Sequence, residues 1–451
     1  MIRSLLLAAA VMAASGAALA DESQVDLCRT RSDEILHALQ KGDYATARTH
    51  FDARMQAGLD AQKLGQVWQQ ILPQKLGTYD HAEAANVRQA NDHPIAETPL
   101  HFANGWLSMR VSCDDSGKVD GLFFIPGQPP VAAEVDMTHE QPLSVPSPLG
   151  PLPGTLTLPT GNGPFPVVLL VAGSGPNDRD ETIGPNKPFR DLAQGLAAAG
   201  IASLRYDKRT HVYGPQMAAD QAITVDDEVT DDAVSALHLL ATRAHIDPAR
   251  MFVLGHSLGA LMAPRIGQRD SQVAGLILLA APATFDLDLV LRQINYIGHV
   301  QGADAAVMEK QTAPIIAARN AMAHADPAHP PAGMFFHAPA SYWLSLRNYN
   351  AVNTAKTLRM PMLVLQGARD YQVTAADEFA QWQAAFAHDP RVKLSSYPGL
   401  GHLFMPAGDP PSPADYAHAG HVDAQVIRDI TAWILNTPAN TPTQRRKPVQ
   451  E

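Results

Sequence analysis

Cysteine is nearly absent, with two residues, Cys28 and Cys113, in a chain of 451. Two thiols lack the paired spacing of a zinc finger and are too few for a disulfide scaffold, so a hydrophobic core must hold the fold. A later apolar run approaching the roughly 20 residues of a membrane span is also missing. Basic residues are in deficit, 34 Lys and Arg against 45 Asp and Glu, and the longest basic cluster, Arg445-Arg446-Lys447, lies in a Pro- and Thr-rich tail. Nucleic acid binding needs a positive face, which excludes it as a partner class. No His-Glu-x-x-His, no lysine-ended P-loop and no G-x-G-x-x-G after the first strand occurs, so neither a metal nor a nucleotide cofactor is expected.

What remains is an ordinary folded composition, 46% hydrophobic and 18% charged. Its length favours two domains. The first twenty residues have the form of an export signal: Arg3, an apolar stretch from Leu5 to Ala14, and the small-x-small pattern Ala18-Leu19-Ala20. Cleavage there starts the mature chain at Asp21 and places it in the periplasm or outside the cell. In an oxidising compartment Cys28 and Cys113 would pair, tying the first helix to a late strand; the alternative is two buried thiols.

Between Leu27 and about Leu76, apolar residues such as Ile35, Leu36, Leu39, Leu64, Val67, Trp68 and Ile71 recur at helical spacing. His101–Val111 and Val119–Ile125 then predict two strands joined by a turn at Asp114–Lys118. Residues 21–126 thus form a small α+β domain, followed by a Pro-rich linker over 127–141. From 142 to 437 strand and helix alternate. Val167–Val171, Ile201–Tyr206, Met251–Leu254, Val273–Leu279, Met362–Gln366 and Val392–Ser396 are the strands of a doubly wound, mostly parallel sheet. The alternation lapses over 285–358, a helical insertion expected to cap the sheet's carboxyl edge, and 438–451 forms a disordered tail.

Gly255-His256-Ser257-Leu258-Gly259 lies where a predicted strand meets a predicted helix, the setting of a nucleophile elbow. Serine is a weak nucleophile without a base. Of eighteen histidines, His402 follows a late strand through the glycine-bearing loop Tyr397–Gly401 and is the expected base. His256 points off the elbow and reads as packed or solvent-facing; His418, His421, His324 and His329 read as surface residues. The acid should leave a strand between nucleophile and base, and Asp370, four residues past Gln366, does so. Asp286 is the competitor, with a helix cap as its ordinary role. The tetrahedral oxyanion needs fixed donors, expected at the backbone N–H groups of Leu258 and, in Ala172–Pro176, Ser174. Asp178, Arg179, Asp180 and Glu181, with Arg205, Asp207 and Arg209, form either a polar substrate rim or a charge network that fixes loops. Tyr342, Trp343, Leu346 and Tyr349 either line an acyl pocket or pack the insertion onto the core.

These residues carry a resemblance. Gly173–Glu181, Leu204–Arg209, the elbow and Gln366–Asp370 resemble the α/β-hydrolase superfamily, and within it bacterial esterases of the esterase D and dienelactone-hydrolase-like group, near the prolyl-oligopeptidase and serine aminopeptidase families. The likeness spans residues 142–437 and implies the same Ser257, Asp370, His402 triad. The first domain resembles a nuclear-transport-factor-like or cystatin-like module to which no catalytic residues attach. The implied function is cleavage of small-molecule carboxylic esters through an acyl-enzyme. Amide or thioester cleavage by the same triad, and a non-catalytic binding protein of the same fold, stand as alternatives.

Overall fold

Residues 93–102 alternate between buried and half-exposed at every step, the pattern of a strand with one face on a core. In the computed structural model, which describes residues 14–83, 85–90, 93–127 and 139–440, this strand belongs to the first of two units, Met1–Val131 and Ala132–Glu451. Its sheet consists of β1 (Tyr79–Ala82), β2 (Asn86–Ala90), β3 (His93–Phe102), β4 (Gly105–Cys113) and β5 (Val119–Pro126), all antiparallel, with β3 pairing β1, β2 and β4. Helix Ala14–Gln40 contributes Ile35, Leu36 and Leu39 to a core that also holds Leu100, Phe102, Met109 and Val111 of the sheet.

This sheet is larger than the sequence suggests. The strand predicted over 101–111 is broken by a tight hairpin turn, Ala103-Asn104, that leaves His101 and Phe102 on β3 and starts β4 at Gly105. Ile95 and Pro99 on the outer face and Pro94 and Thr98 on the buried one hid its period of two. Cys28 of the helix and Cys113 at the end of β4 are both buried and disulfide-bonded, with Cα atoms 5.8 Å apart.

The second unit is built on β6 (Glu140–Val145), β7 (Leu152–Thr157), β8 (Phe165–Val171), β9 (Ala202–Tyr206), β10 (Ile246–His256) and β11 (Val273–Leu279). A small ladder of β12 (Met334–Phe335) and β13 (Ala338–Pro339) precedes β14 (Met362–Gly367) and β15 (Val392–Tyr397). The main sheet runs β15-β14-β11-β10-β8-β9-β7-β6; β8 to β11, β14 and β15 are parallel, and the pair β6 and β7 joins antiparallel at one edge. Central strands buried on both faces need apolar residues at every position. Along β8, Val167, Leu169 and Val171 enter one core and Val168 and Leu170 the other, which explains the unbroken hydrophobic run.

The sheet begins at Glu140, inside the expected linker, whose residues 128–138 lie outside the described part. At the other end, Asn440 donates its backbone N–H to Ala249 O (2.7 Å) and its side chain to Ser271 O (2.8 Å), so residues 438–440 are bound to the second unit. The rest of the expected tail, 441–451, and residues 1–13 of the expected leader are outside the described residues. The insertion between β11 and β14 holds helices Leu287–Val300, Ala305–His324, Ala340–Arg347 and Ala351–Thr357. No helix among the described residues is long and apolar enough to cross a membrane.

The bridge closes a sequence separation of 85 residues, and a loop of that size restricts the unfolded chain by about 4–5 kcal/mol in the chain-entropy account. Cys113→Ser should therefore lower the urea midpoint of the first unit's transition. Thiol titration of the denatured, unreduced protein should find no free thiol; two would show that the bridge does not form.

Candidate active site

Strand β10 ends at His256, and helix Leu258–Arg269 begins one residue after Ser257. Turning a strand into a helix in one residue forces Ser257 to φ +53°, ψ −114°, a conformation that L-residues avoid. The two glycines make that turn sterically possible. A Cβ on Gly255 would lie 2.2 Å from Gly259 O, and one on Gly259 would lie 2.0 Å from Val171 O at the end of β8. The elbow is thus pressed against the loop that follows β8, where a Cβ on Gly173 would sit 3.2 Å from Ser257 Cβ.

Asp370 and His402 come from the loops after β14 and β15. The two loops are laced together by Arg369 N–H to Leu400 O and Ala368 N–H to Tyr397 O, both 2.9 Å. Asp370 is buried; its Oδ1 accepts the N–H groups of Gln372 (2.8 Å) and Val373 (3.0 Å), which leaves Oδ2 to accept His402 Nδ1–H at 2.7 Å. That bond fixes the tautomer, making Nε2 the nitrogen able to take a proton. Among the described residues no hydrogen bond joins the Ser257 hydroxyl to the His402 ring, a contact that in ligand-free enzymes often tightens only when substrate binds. Arg369 donates to Gly408 O (3.0 Å) and approaches Asp409, so it does not compete for Asp370. Asp286 caps helix Leu287–Val300 by accepting Leu289 N–H.

His256 takes the packed one of its two expected positions and also makes polar contacts there that the sequence does not indicate. It is buried, its Nδ1 lies 2.9 Å from Glu181 Oε1, and its Nε2 lies 2.9 Å from the backbone carbonyl of His402. A carboxylate and a carbonyl both accept, an arrangement that suits a ring with both nitrogens protonated, an imidazolium. Burial opposes that charge, but the Glu181 carboxylate and the two hydrogen bonds outweigh it and raise the His256 pKa above the ordinary histidine value. Glu181, itself buried and held at φ +51°, also accepts Gly173 N–H at 2.6 Å. One ion pair therefore ties together the elbow, the loop after β8 and the loop that carries His402.

Gly173 is held from its other side as well. Its carbonyl accepts Lys208 Nζ at 2.7 Å and Asn177 Nδ2 at 3.0 Å, while Lys208 pairs with Glu228 at 2.5 Å and Glu228 accepts the hydroxyl of Tyr342 at 2.7 Å. In a trans peptide the C=O and the following N–H point opposite ways. Anchoring Gly173 O thus directs Ser174 N–H away from Lys208. The charged residues around this loop are consumed by structure: Arg179 grips Asp207, Arg205 bridges Asp180 and Glu140, and Arg209 holds Asp232.

The insertion reaches both loops. Tyr342 touches Glu228, Tyr349 donates to Leu261 O at 3.0 Å, and Leu346 is buried, so these residues pack the insertion onto the core, while Trp343 Nε1 donates to Phe335 O within the insertion itself. On the acid's side, Tyr296 of helix Leu287–Val300 stacks on Tyr371 at 5.3 Å, and Gln293 donates to Gln372 O at 3.0 Å. His421 pairs with Asp191 and His329 with Asp326, both largely exposed, and His324 ends helix Ala305–His324.

A serine on a strained strand-to-helix turn, a buried Asp–His pair beside it and this strand order define an α/β-hydrolase. Residues 186–409 match the family described as serine aminopeptidase, S33, and residues 32–122 match one described only as a protein of unknown function, DUF3887. Esterase EstD of Thermotoga maritima is 35% identical over 402 residues, covering 88% of this chain and 93% of that protein. Among solved structures, Est1E from Butyrivibrio proteoclasticus aligns at 15% identity and TM-score 0.42, covering 66% of this chain and 98% of that one. A puromycin-hydrolyzing peptidase of Mycobacterium tuberculosis aligns at 14% and 0.41, covering 80% and 49%. The chain belongs to the esterase family of α/β-hydrolases that includes EstD.

Removing one member of a buried ion pair strands the other, at a cost of about 3–5 kcal/mol. Glu181→Gln should lower the melting temperature and, by loosening Gly173, the turnover number. Because the folded-state pKa of His256 is raised, the pair's stabilisation is complete below the unfolded histidine value and is lost as pH rises through the elevated one. The stability gap between wild type and Glu181→Gln should therefore narrow on going to alkaline pH, which melting curves across pH measure.

Proposed function

We propose that Ser257, His402 and Asp370 form the catalytic triad, with the backbone N–H groups of Leu258 and Ser174 as the oxyanion donors. The observation that carries this reading is the buried 2.7 Å bond from His402 to Asp370, on a loop whose His402 carbonyl is bonded to His256, the residue beside Ser257. The enzyme is a carboxylesterase-type serine hydrolase, and its substrates are small-molecule carboxylic esters.

His402 Nε2 takes the hydroxyl proton as Ser257 Oγ bonds to the ester carbonyl carbon. The carbonyl oxygen becomes an oxyanion, met by Leu258 N–H at the start of a helix and by Ser174 N–H, whose direction the Gly173 anchor sets. The tetrahedral species collapses, the C–O bond to the alcohol breaks, and the alcohol leaves with the proton from His402. Water then gives a proton to His402 and attacks the acyl-enzyme; collapse of this second oxyanion releases the acid and returns the proton to Ser257. Asp370 keeps its negative charge beside the imidazolium at each stage. Burial and the Asp370 charge raise the Tyr371 hydroxyl above its ordinary value, so it stays neutral there.

The match of residues 186–409 to the serine aminopeptidase family supports amide cleavage as the second reading, since the same acyl-enzyme serves either leaving group. Export is part of the proposal. The leader-like residues 1–20 and the Cys28–Cys113 bridge support a mature chain starting at Asp21, with the α+β unit leading into the hydrolase unit, in an oxidising compartment.

A fluorophosphonate probe should label the wild type and not Ser257→Ala, and Ser257→Ala should lower kcat about 10⁶-fold. Asp370→Asn should cost about 10⁴-fold. Equal labelling of Ser257→Ala would remove the nucleophile assignment. Short p-nitrophenyl esters should turn over faster than aminoacyl anilides; the reverse order would favour the peptidase reading.

A further inference from the structure

The first unit carries a group of chemistry-bearing side chains that the hydrolase site does not use. His81 of β1 and His101 of β3 are directly opposed in the antiparallel register, with ring centroids 5.0 Å apart. Asp80 Oδ2 lies 2.9 Å from His81 Nδ1 and 3.0 Å from His101 Nδ1, so two imidazoles converge on one carboxylate oxygen. Trp106 of β4 packs against both rings, at 4.7 Å from His101 and 5.6 Å from His81. We propose that Asp80, His81 and His101 bind one divalent transition-metal ion of the zinc class.

The donor atoms of the three residues all lie within 4.8 Å of one another. Nitrogen and oxygen ligands held about 2.0–2.2 Å from a tetrahedral zinc ion stand roughly 3.3–3.6 Å apart around it, so the 2.9 and 3.0 Å contacts that Asp80 makes here need open by only a few tenths of an ångström to admit one. Zinc sites of this kind place a carboxylate at the second nitrogen of a ligating imidazole, which orients the ring and strengthens it as a ligand. Glu83 lies near that position, its Oε1 3.4 Å from His81 Nε2, in ion-pair range and short of a hydrogen bond. Two imidazoles and a carboxylate suit zinc, cobalt or nickel; magnesium and calcium prefer all-oxygen sets, and monovalent copper prefers sulfur. Three protein donors leave coordination positions for water. The side chains of His81 and His101 are about one-fifth exposed and Asp80 is mostly exposed, so an ion can enter from solvent.

The set has no sequence signature, because nineteen intervening residues separate the two histidines and only the β1–β3 register makes them neighbours. This site is independent of the triad and requires no turnover to detect.

The full chain, stripped with a chelator and dialysed, is titrated with zinc sulfate by calorimetry and by tryptophan fluorescence. One equivalent should bind, with a fluorescence change that Trp106→Phe removes while leaving the calorimetric binding in place. His101→Ala and His81→Ala should each abolish binding, and Glu83→Gln should weaken it about 10- to 100-fold. His329→Ala, which removes an exposed histidine paired with Asp326, should bind as wild type does. Circular-dichroism melts check that the variants fold; should either histidine variant fail to, Asp80→Asn, altered on a mostly exposed side chain, carries the same test. No saturable binding by wild type, or undiminished binding by the folded variants, overturns the proposal.

Discussion

A buried imidazolium facing a buried carboxylate is the contact on which the site's geometry depends. His256 and Glu181 are each costly to bury alone, and together they bring three chain segments into register: the elbow, the loop after β8 through Gly173, and the loop after β15 through the His402 carbonyl. Such a pair adds little net stability over an apolar alternative of the same shape. Its value is directional, because Glu181 Oε1 meets both Gly173 N–H and the His256 ring, and the ring's other nitrogen meets the His402 carbonyl. An apolar filler could pack the space and leave the peptides of Gly173 and His402 free to turn.

The second ion pair, Lys208–Glu228, works on the opposite side of the same glycine. Glu228 is also where the insertion arrives, through the hydroxyl of Tyr342. Helix Ala340–Arg347 is therefore connected to the peptide that precedes Ser174 by an unbroken chain of buried hydrogen bonds. The acid's loop has a matching contact from helix Leu287–Val300, through Tyr296 on Tyr371 and Gln293 on Gln372. Both flanks of the site thus rest on the segment that, in sequence, interrupts the strand–helix alternation.

Much of this was legible before any coordinates. The elbow is local: two glycines and a serine at a strand–helix junction can be read because the steric requirement falls within five residues. The same holds for the parallel strands, whose apolar runs follow from burial on both faces. His402 and Asp370 were legible through chain order and their glycine-bearing loops. Glu181 and His256 were not, since 75 residues separate them and the charge of His256 arises only when both its partners are acceptors. The alternation in burial was present in β3, but apolar Ile95 and Pro99 on the outer face and polar Thr98 on the buried face masked it, and the turn at Ala103-Asn104 read as part of a strand. Tyr342 and its neighbours show a helical period that is the same for a pocket wall and for a packed face; only the partners of each side chain decide.

Both cysteines belong to the first unit, so the disulfide closes a loop within residues 28–113 and reaches no strand of the hydrolase sheet. A reducing environment would accordingly remove a staple from the first unit while breaking no covalent cross-link in the second.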